Sequence, residues 1–196
     1  MNIDLVLKKL FNTNPITGSY CKLFHITLND AELVYNLRNR KNNNYLKKTN
    51  GSLSDQKKYL INYFDSFNKY EQIYYKIFDI KSKRYTGVFR ITELLNEENY
   101  NWESAVFDED SNPNCFLDTM LMNYRIGFEY LRKKNCGPWE VDRNYNKMMK
   151  IHKILKMAKV VDQNEKYFFV NVNHVDYFKN INTYRKMKFG ELGGLF

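Results

Sequence analysis

The sequence predicts a mixed α/β fold, with a central, mostly antiparallel sheet covered by helices on both faces. Three observations carry that prediction. Three β-rich runs follow one another at residues 73–80, 85–94 and 100–107, and the first two are joined by a short turn at 79–83. Amphipathic helical stretches precede and follow them, with apolar residues at three-to-four spacing. Strand and helix then alternate before a final hairpin, an order that calls for a mixed sheet with helical layers.

The elements follow in order. Residues 1–11 read as a short amphipathic helix, broken by Asp4, Lys8 and Lys9 and not built as a signal peptide; Pro15 and Gly18 punctuate its end. A strand is expected over residues 20–26. Asn29-Asp30 is a helix-start signal before Ala31, Leu33, Val34 and Leu37, and the polar stretch 38–44 ends that helix. Ser54-Asp55 is expected to cap a second helix with Tyr59, Leu60, Tyr63, Phe64 and Phe67 on its apolar face. In the third β run, Trp102, Ser104 and Val106 alternate on one face. A polar loop at 108–114 leads to a long helix over about 117–134, with Leu117, Leu121, Tyr124, Phe128 and Leu131 as its stripe, and Gly137-Pro138 breaks it. A short strand at 139–141 follows. Asn144 or Asn146 then caps a helix burying Met148, Ile151, Ile154 and Leu155. Val160-Val161 and residues 167–172 form a hairpin, and 175–189 is helical. No repeat or linker divides the chain, so residues 1–196 are expected as a single domain, with an N-terminal helix at about 1–14 and a C-terminal helical extension at about 174–196.

Composition narrows the class. The chain is 16% aromatic, with 16 Tyr and 14 Phe, which excludes a disordered chain. Cys21, Cys115 and Cys136 are odd in number and far apart, so reduced thiols and a cytoplasmic location are expected. They share no ligand spacing with His25, His152 and His174, so no metal is expected. No run approaches the roughly 20 apolar residues of a membrane helix. The net charge of +9 points to an anionic partner such as a phosphorylated metabolite. A non-catalytic nucleic-acid binder is a competing reading, weakened because the basic residues are dispersed and no recognisable motif is present.

The order of elements, together with local matches over about residues 20–173, resembles the GNAT superfamily of N-acetyltransferases. The stretch Glu140-Val-Asp-Arg-Asn-Tyr-Asn-Lys-Met-Met-Lys-Ile-His-Lys-Ile-Leu155 is similar to the family's strand, Asn-containing turn and helix, with Ile151-His152 at a characteristic pair. Arg38-Asn39, Gln56-x-x-Tyr59-Leu60 and Gly87-x-x-Arg90 are also family-like. Phe128, Leu131, His152 and Tyr167-Phe168-Phe169 resemble the bacterial enzymes that acetylate nucleotide-linked amino sugars for surface polysaccharide; ribosomal-protein N-terminal acetyltransferases share much of the pattern. The chain departs at the phosphate loop, where Ser111-Asn-Pro-Asn-Cys-Phe-Leu-Asp118 replaces the glycine-rich consensus. Asn112 or Asn114 would then have to adopt the left-handed backbone that glycine supplies. Asp118, in the first helical turn, would oppose a diphosphate. A GNAT-like domain that has lost coenzyme binding therefore also stays open.

The resemblance implies acetyl-CoA as co-substrate and a small, phosphorylated amine as acceptor. It implies a backbone N–H near Val106 and Phe107 for the thioester, with Asn112, Asn114, Cys115, Phe116, Asn144 and Lys147 beside the coenzyme. Glu103 is the candidate base for the amine, and His152 the candidate donor of a proton to the leaving thiolate. His25, Arg38, Asn39 and Arg90 are candidates for acceptor binding, the guanidinium forks suiting phosphate oxygens. Trp102 and Trp139 read as core residues. The terminal helices could cap the domain, form a lid or pair two copies as a homodimer.

Overall fold

The computed structural model describes residues 3–40, 51–144 and 146–195, without the side chains of residues 146–148. The chain runs α1 (Ile3–Asn12), β1 (Ile16–Thr17), β2 (Cys21–His25), α2 (Ala31–Arg38), α3 (Leu53–Asn68), β3 (Ile73–Asp79), β4 (Arg84–Thr92), β5 (Asn99–Phe107), α4 (Pro113–Arg125), β6 (Asn135–Asp142), α5 (Asn146–Leu155), β7 (Ala158–Gln163), β8 (Tyr167–Asn173) and α6 (His174–Lys186). One eight-stranded sheet has the order β1-β2-β3-β4-β5-β6-β8-β7. All neighbours are antiparallel except β5 and β6, which the α4 crossover makes parallel. The expected α/β class, mostly antiparallel with helices on both faces, is the one observed.

Two cores flank the sheet. One unites α2, α3 and the faces of β3–β5 through Val34, Leu37, Leu60, Tyr63, Tyr74, Val88 and Val106. The larger gathers α1, α4 and α6 on the opposite face, through Leu7, Leu10, Leu121, Tyr124, Tyr177 and Ile181. Both terminal helices therefore pack against the sheet; Phe11 of α1 meets Phe67 and Tyr70 with ring centroids 4.8 Å from each.

Several boundaries differ from expectation for local reasons. The cap of α3 is Ser52, not Ser54. Its hydroxyl accepts from the Asp55 N–H at 3.2 Å, while the Asp55 carboxylate accepts from the Ser52 N–H at 2.7 Å, a reciprocal capping box. The long helix begins earlier, with Pro113 in its first turn, and closes with the π-type turn Ile126–Tyr130. Gly137-Pro138 does not separate helix from strand but lies inside β6, at a bulge. There Gly137 has φ +107°, and a Cβ would stand 2.7 Å from the Val170 carbonyl oxygen.

Asp118 is fully buried on α4 and is not directed at an anion site. Its carboxylate accepts from the Tyr20 N–H at 2.8 Å and the Gly190 N–H at 2.7 Å, tying the start of β2 and the C-terminal segment to α4. Burial raises its pKa above the ordinary carboxylate range, against the pull of these donors. Asp118→Ala would orphan two buried backbone donors at about 1–3 kcal/mol each. Urea unfolding of this variant should show a loss of about 2–5 kcal/mol, and a loss under about 1 kcal/mol would contradict the assignment.

Candidate active site

Strands β5 and β6 pair only at Asn99↔Asn135 and Tyr100↔Cys136, then part. The bulge at Gly137-Pro138 carries β6 away while it keeps its pairing to β8 from Trp139 to Asp142. On the other strand, Ser104 adopts a left-handed φ of 51° where the β4–β5 register slips. The slip ends the alternation expected of Trp102, Ser104 and Val106. Trp102 joins the larger core, whereas Val106 joins the core under α2 and α3.

The walls of the parting are aromatic and polar at once. Trp102 meets Trp139 edge-on at 6.0 Å and Tyr124 at 6.2 Å, and Trp139 lies 5.6 Å from the His152 ring. The indole nitrogens of Trp102 and Trp139, the Tyr124 hydroxyl and both ring nitrogens of His152 are buried without a protein partner. Orphaned buried polar atoms are costly and uncommon, and five of them gather here.

On the α2/α3 face of β5 lies a cavity of about 370 Å³, lined in part by Arg38, Gln56, Tyr59, Tyr74, Arg90 and Ser104. Arg38 donates to the Ser104 hydroxyl at 3.1 Å, and Arg90 donates to Gln72 at 3.1 Å while contacting Tyr59 and pairing with Glu103. The Gln56 side chain is 7% exposed, and its amide nitrogen has no partner. Sequence reading placed Gln56 and Tyr59 in a family-like motif without giving them a site role; their spacing on one helical turn was the available signal.

The sequence candidates are not all brought together. Arg38 and Arg90 line the cavity, and Glu103 stands beside it, half-exposed against Arg90 with Thr92 at 3.3 Å. His25 packs against Phe67 and Tyr75, away from the cavity, and Asn39 turns back to donate to the Tyr35 carbonyl at 3.0 Å. Neither lines the cavity. Val106 is buried in the α2/α3 core, and Phe107 packs edge-on against Phe116 at 4.7 Å. Asn112 sits at φ −58°, and neither it nor Asn114 has a positive φ, so the expected glycine substitute is not there. Cys115 is fully buried. Asn144 is exposed and donates its backbone N–H to Asp142 at 2.8 Å; the Lys147 side chain lies outside the described residues. Among the described residues, no group of three or more His, Cys, Asp or Glu side chains could hold a metal ion, and no helix is long and apolar enough to cross a membrane.

His152 differs chemically from expectation. Burial lowers its pKa from 6.5 to about 4, so at neutral pH it is a neutral imidazole with no spare proton. It can offer a hydrogen bond but not the ready proton of an imidazolium. Because the folded pKa lies below the unfolded one, the unfolded chain binds more protons between pH 6.5 and about 4, and stability falls as pH falls through that window. On going from pH 7 to pH 5, wild type should lose about 2 kcal/mol more than His152→Phe in urea unfolding. Equal losses would show that the imidazole is not held neutral by burial.

No protein-family model and no curated protein sequence matches the chain. Solved structures do. FdhC, described as a nucleotide-linked sugar GNAT, superposes with a TM-score of 0.77 at 22% identity, covering 90% of this chain and 99% of that one. An uncharacterized protein from Bacillus halodurans gives 0.71 at 12% identity, with 90% and 99% covered. Spermidine N-acetyltransferase from Vibrio cholerae, in complex with CoA and spermine, gives 0.61 at 14% identity, with 82% and 99% covered. The parting between β5 and β6 thus belongs to a chain with the GNAT fold.

Proposed function

We propose that the protein is an N-acetyltransferase that takes an acetyl thioester in the parting between β5 and β6 and an amine in the cavity under α2 and α3. The observation that carries this is the set of orphaned donors on Trp102, Trp139, Tyr124 and His152. An acetyl-CoA arm brings amide and thioester carbonyls, the acceptors these donors lack, and when bound it supplies the activated acyl group. The likeness in fold to N-acetyltransferases supports the same reading.

The chain's own residues divide the remaining work. Trp102 and Trp139 exclude water from the parting, which strengthens every hydrogen bond made there. Glu103 accepts the proton of the amine, directly or through a water, from its position against Arg90. His152 donates a hydrogen bond as neutral imidazole. Arg38 and the Gln56 amide present donors to an anionic or oxygen-rich part of the acceptor.

The acceptor favoured is a small amine carrying phosphate, with a nucleotide-linked amino sugar as the specific candidate. The Arg38 guanidinium at the cavity supports it, as does the likeness in fold to FdhC.

The test is acceptor-dependent thiol release from acetyl-CoA across a panel holding nucleotide-linked amino sugars, spermidine and a ribosomal-protein N-terminal peptide. Release is expected with the phosphorylated amino sugars. Glu103→Gln should lower kcat about 10²-fold or more. Arg38→Ala should act chiefly on acceptor KM, by about 10- to 100-fold, the worth of one charge-assisted hydrogen bond. Release that does not depend on any amine would remove the acyltransferase reading; release with the peptide alone would replace its acceptor.

A further inference from the structure

We propose that the acyl donor is recognised through its pantetheine arm and thioester, and that its nucleotide diphosphate contributes little to binding. This rests on the acyltransferase reading above and deepens it.

A diphosphate is ordinarily taken by free backbone N–H groups at a helix start, helped by the helix dipole. The helix start at the open end of the parting is that of α4, which follows β5 after a five-residue loop at 108–112. There most of the donors are already spent. The Asp108 N–H goes to the Thr86 carbonyl at 2.6 Å, and the Ser111 N–H to the Asp108 carbonyl at 3.0 Å. The Asp110 N–H goes to the Asp108 carboxylate. The Asn112 N–H goes to the Asp79 carboxylate at 3.3 Å. Pro113 has no N–H to give. The Asn114 N–H goes to the Asn112 side chain at 3.1 Å, and those of Cys115 and Phe116 go to the Asn112 carbonyl at 2.9 and 3.4 Å.

Charge points the same way. The nearby guanidinium groups of Arg40 and Arg84 both engage the Asp108 carboxylate. Burial alone would raise the Asp108 pKa, but Arg84 and Arg40 hold it below the ordinary carboxylate range. Asp79 is likewise held below that range, its burial outweighed by the N–H groups of Lys81, Ser82 and Asn112. Both are therefore anions at neutral pH, and Glu109 and Asp110 add two further acidic side chains to the same loop. A diphosphate arriving here would have to break internal hydrogen bonds and stand beside ionised carboxylates. The parting itself, by contrast, keeps unspent polar atoms on Trp102, Trp139, Tyr124 and His152.

The wild-type protein settles this by calorimetric or thermal-shift titration with three probes: acetyl-CoA, S-acetylpantetheine and ADP. The expected result is that S-acetylpantetheine binds within thirtyfold of acetyl-CoA, with no binding of ADP. A preference for acetyl-CoA of thirtyfold or more, or saturable ADP binding, would overturn the inference and leave the acyltransferase reading standing. Failure of both thioesters to bind would instead remove that reading, and this inference with it.

Discussion

Strands β5 and β6 must be parallel neighbours, because the α4 crossover returns the chain to the same end of the sheet, yet they share only two paired positions. Two open strand edges inside a sheet are ordinarily a liability. Here the sheet survives the interruption because β6 keeps a long antiparallel partner in β8 and β5 keeps one in β4. Trp102, Trp139 and Tyr124 meet at the gap, with their polar atoms unspent. The bulges at Ser104 and Gly137-Pro138 and the position of His152 all take their meaning from that gap.

The order of elements was legible in the sequence because periodicity survives burial: the stripes on α3 and α4 and the β runs at residues 73–107 all correspond to observed elements. What escaped was whatever depends on pairing between distant segments. β1 has two residues, and its existence rests on Leu23 and Gly193 as partners, so no local pattern announces it. Ser104 lies in a run that reads as clean alternation, and only the opposing register of β4 shows the slip. Gly137-Pro138 reads as a break because proline and glycine interrupt most strands, while tertiary packing here uses them to bend one.

The site was legible in part, and the division follows the same rule. Arg38 and Arg90 could be nominated because guanidinium forks suit phosphate oxygens, and Glu103 because the resemblance places the chemistry on its strand. His25 was nominated from its place on the first strand and Asn39 from a family-like pair, and neither signal fixes direction: His25 turns into an aromatic cluster and Asn39 caps its own helix. Asp118 looked like an obstacle to an anion because it stands one turn into a helix. Its carboxylate instead faces inward, to the Tyr20 and Gly190 donors, which lie about one hundred and seventy positions apart in sequence and which no local window joins.

One strand thus serves both sides of the proposed chemistry. An undisturbed strand sends successive residues to opposite faces, which already separates Trp102 from Glu103. The extra residue at Ser104 places Glu103 and Ser104 in succession toward α2 and α3, where Arg90 and Arg38 meet them, while Trp102 keeps its place toward α4. A base beside the amine and an aromatic wall beside the thioester can therefore stand on adjacent residues, with the strand backbone between them. The positive φ at Ser104 costs conformational energy. Its contact with Arg38 and the pairing of β4 and β5 on both sides of the slip hold it in place, and the strain is stored where the two substrates would meet.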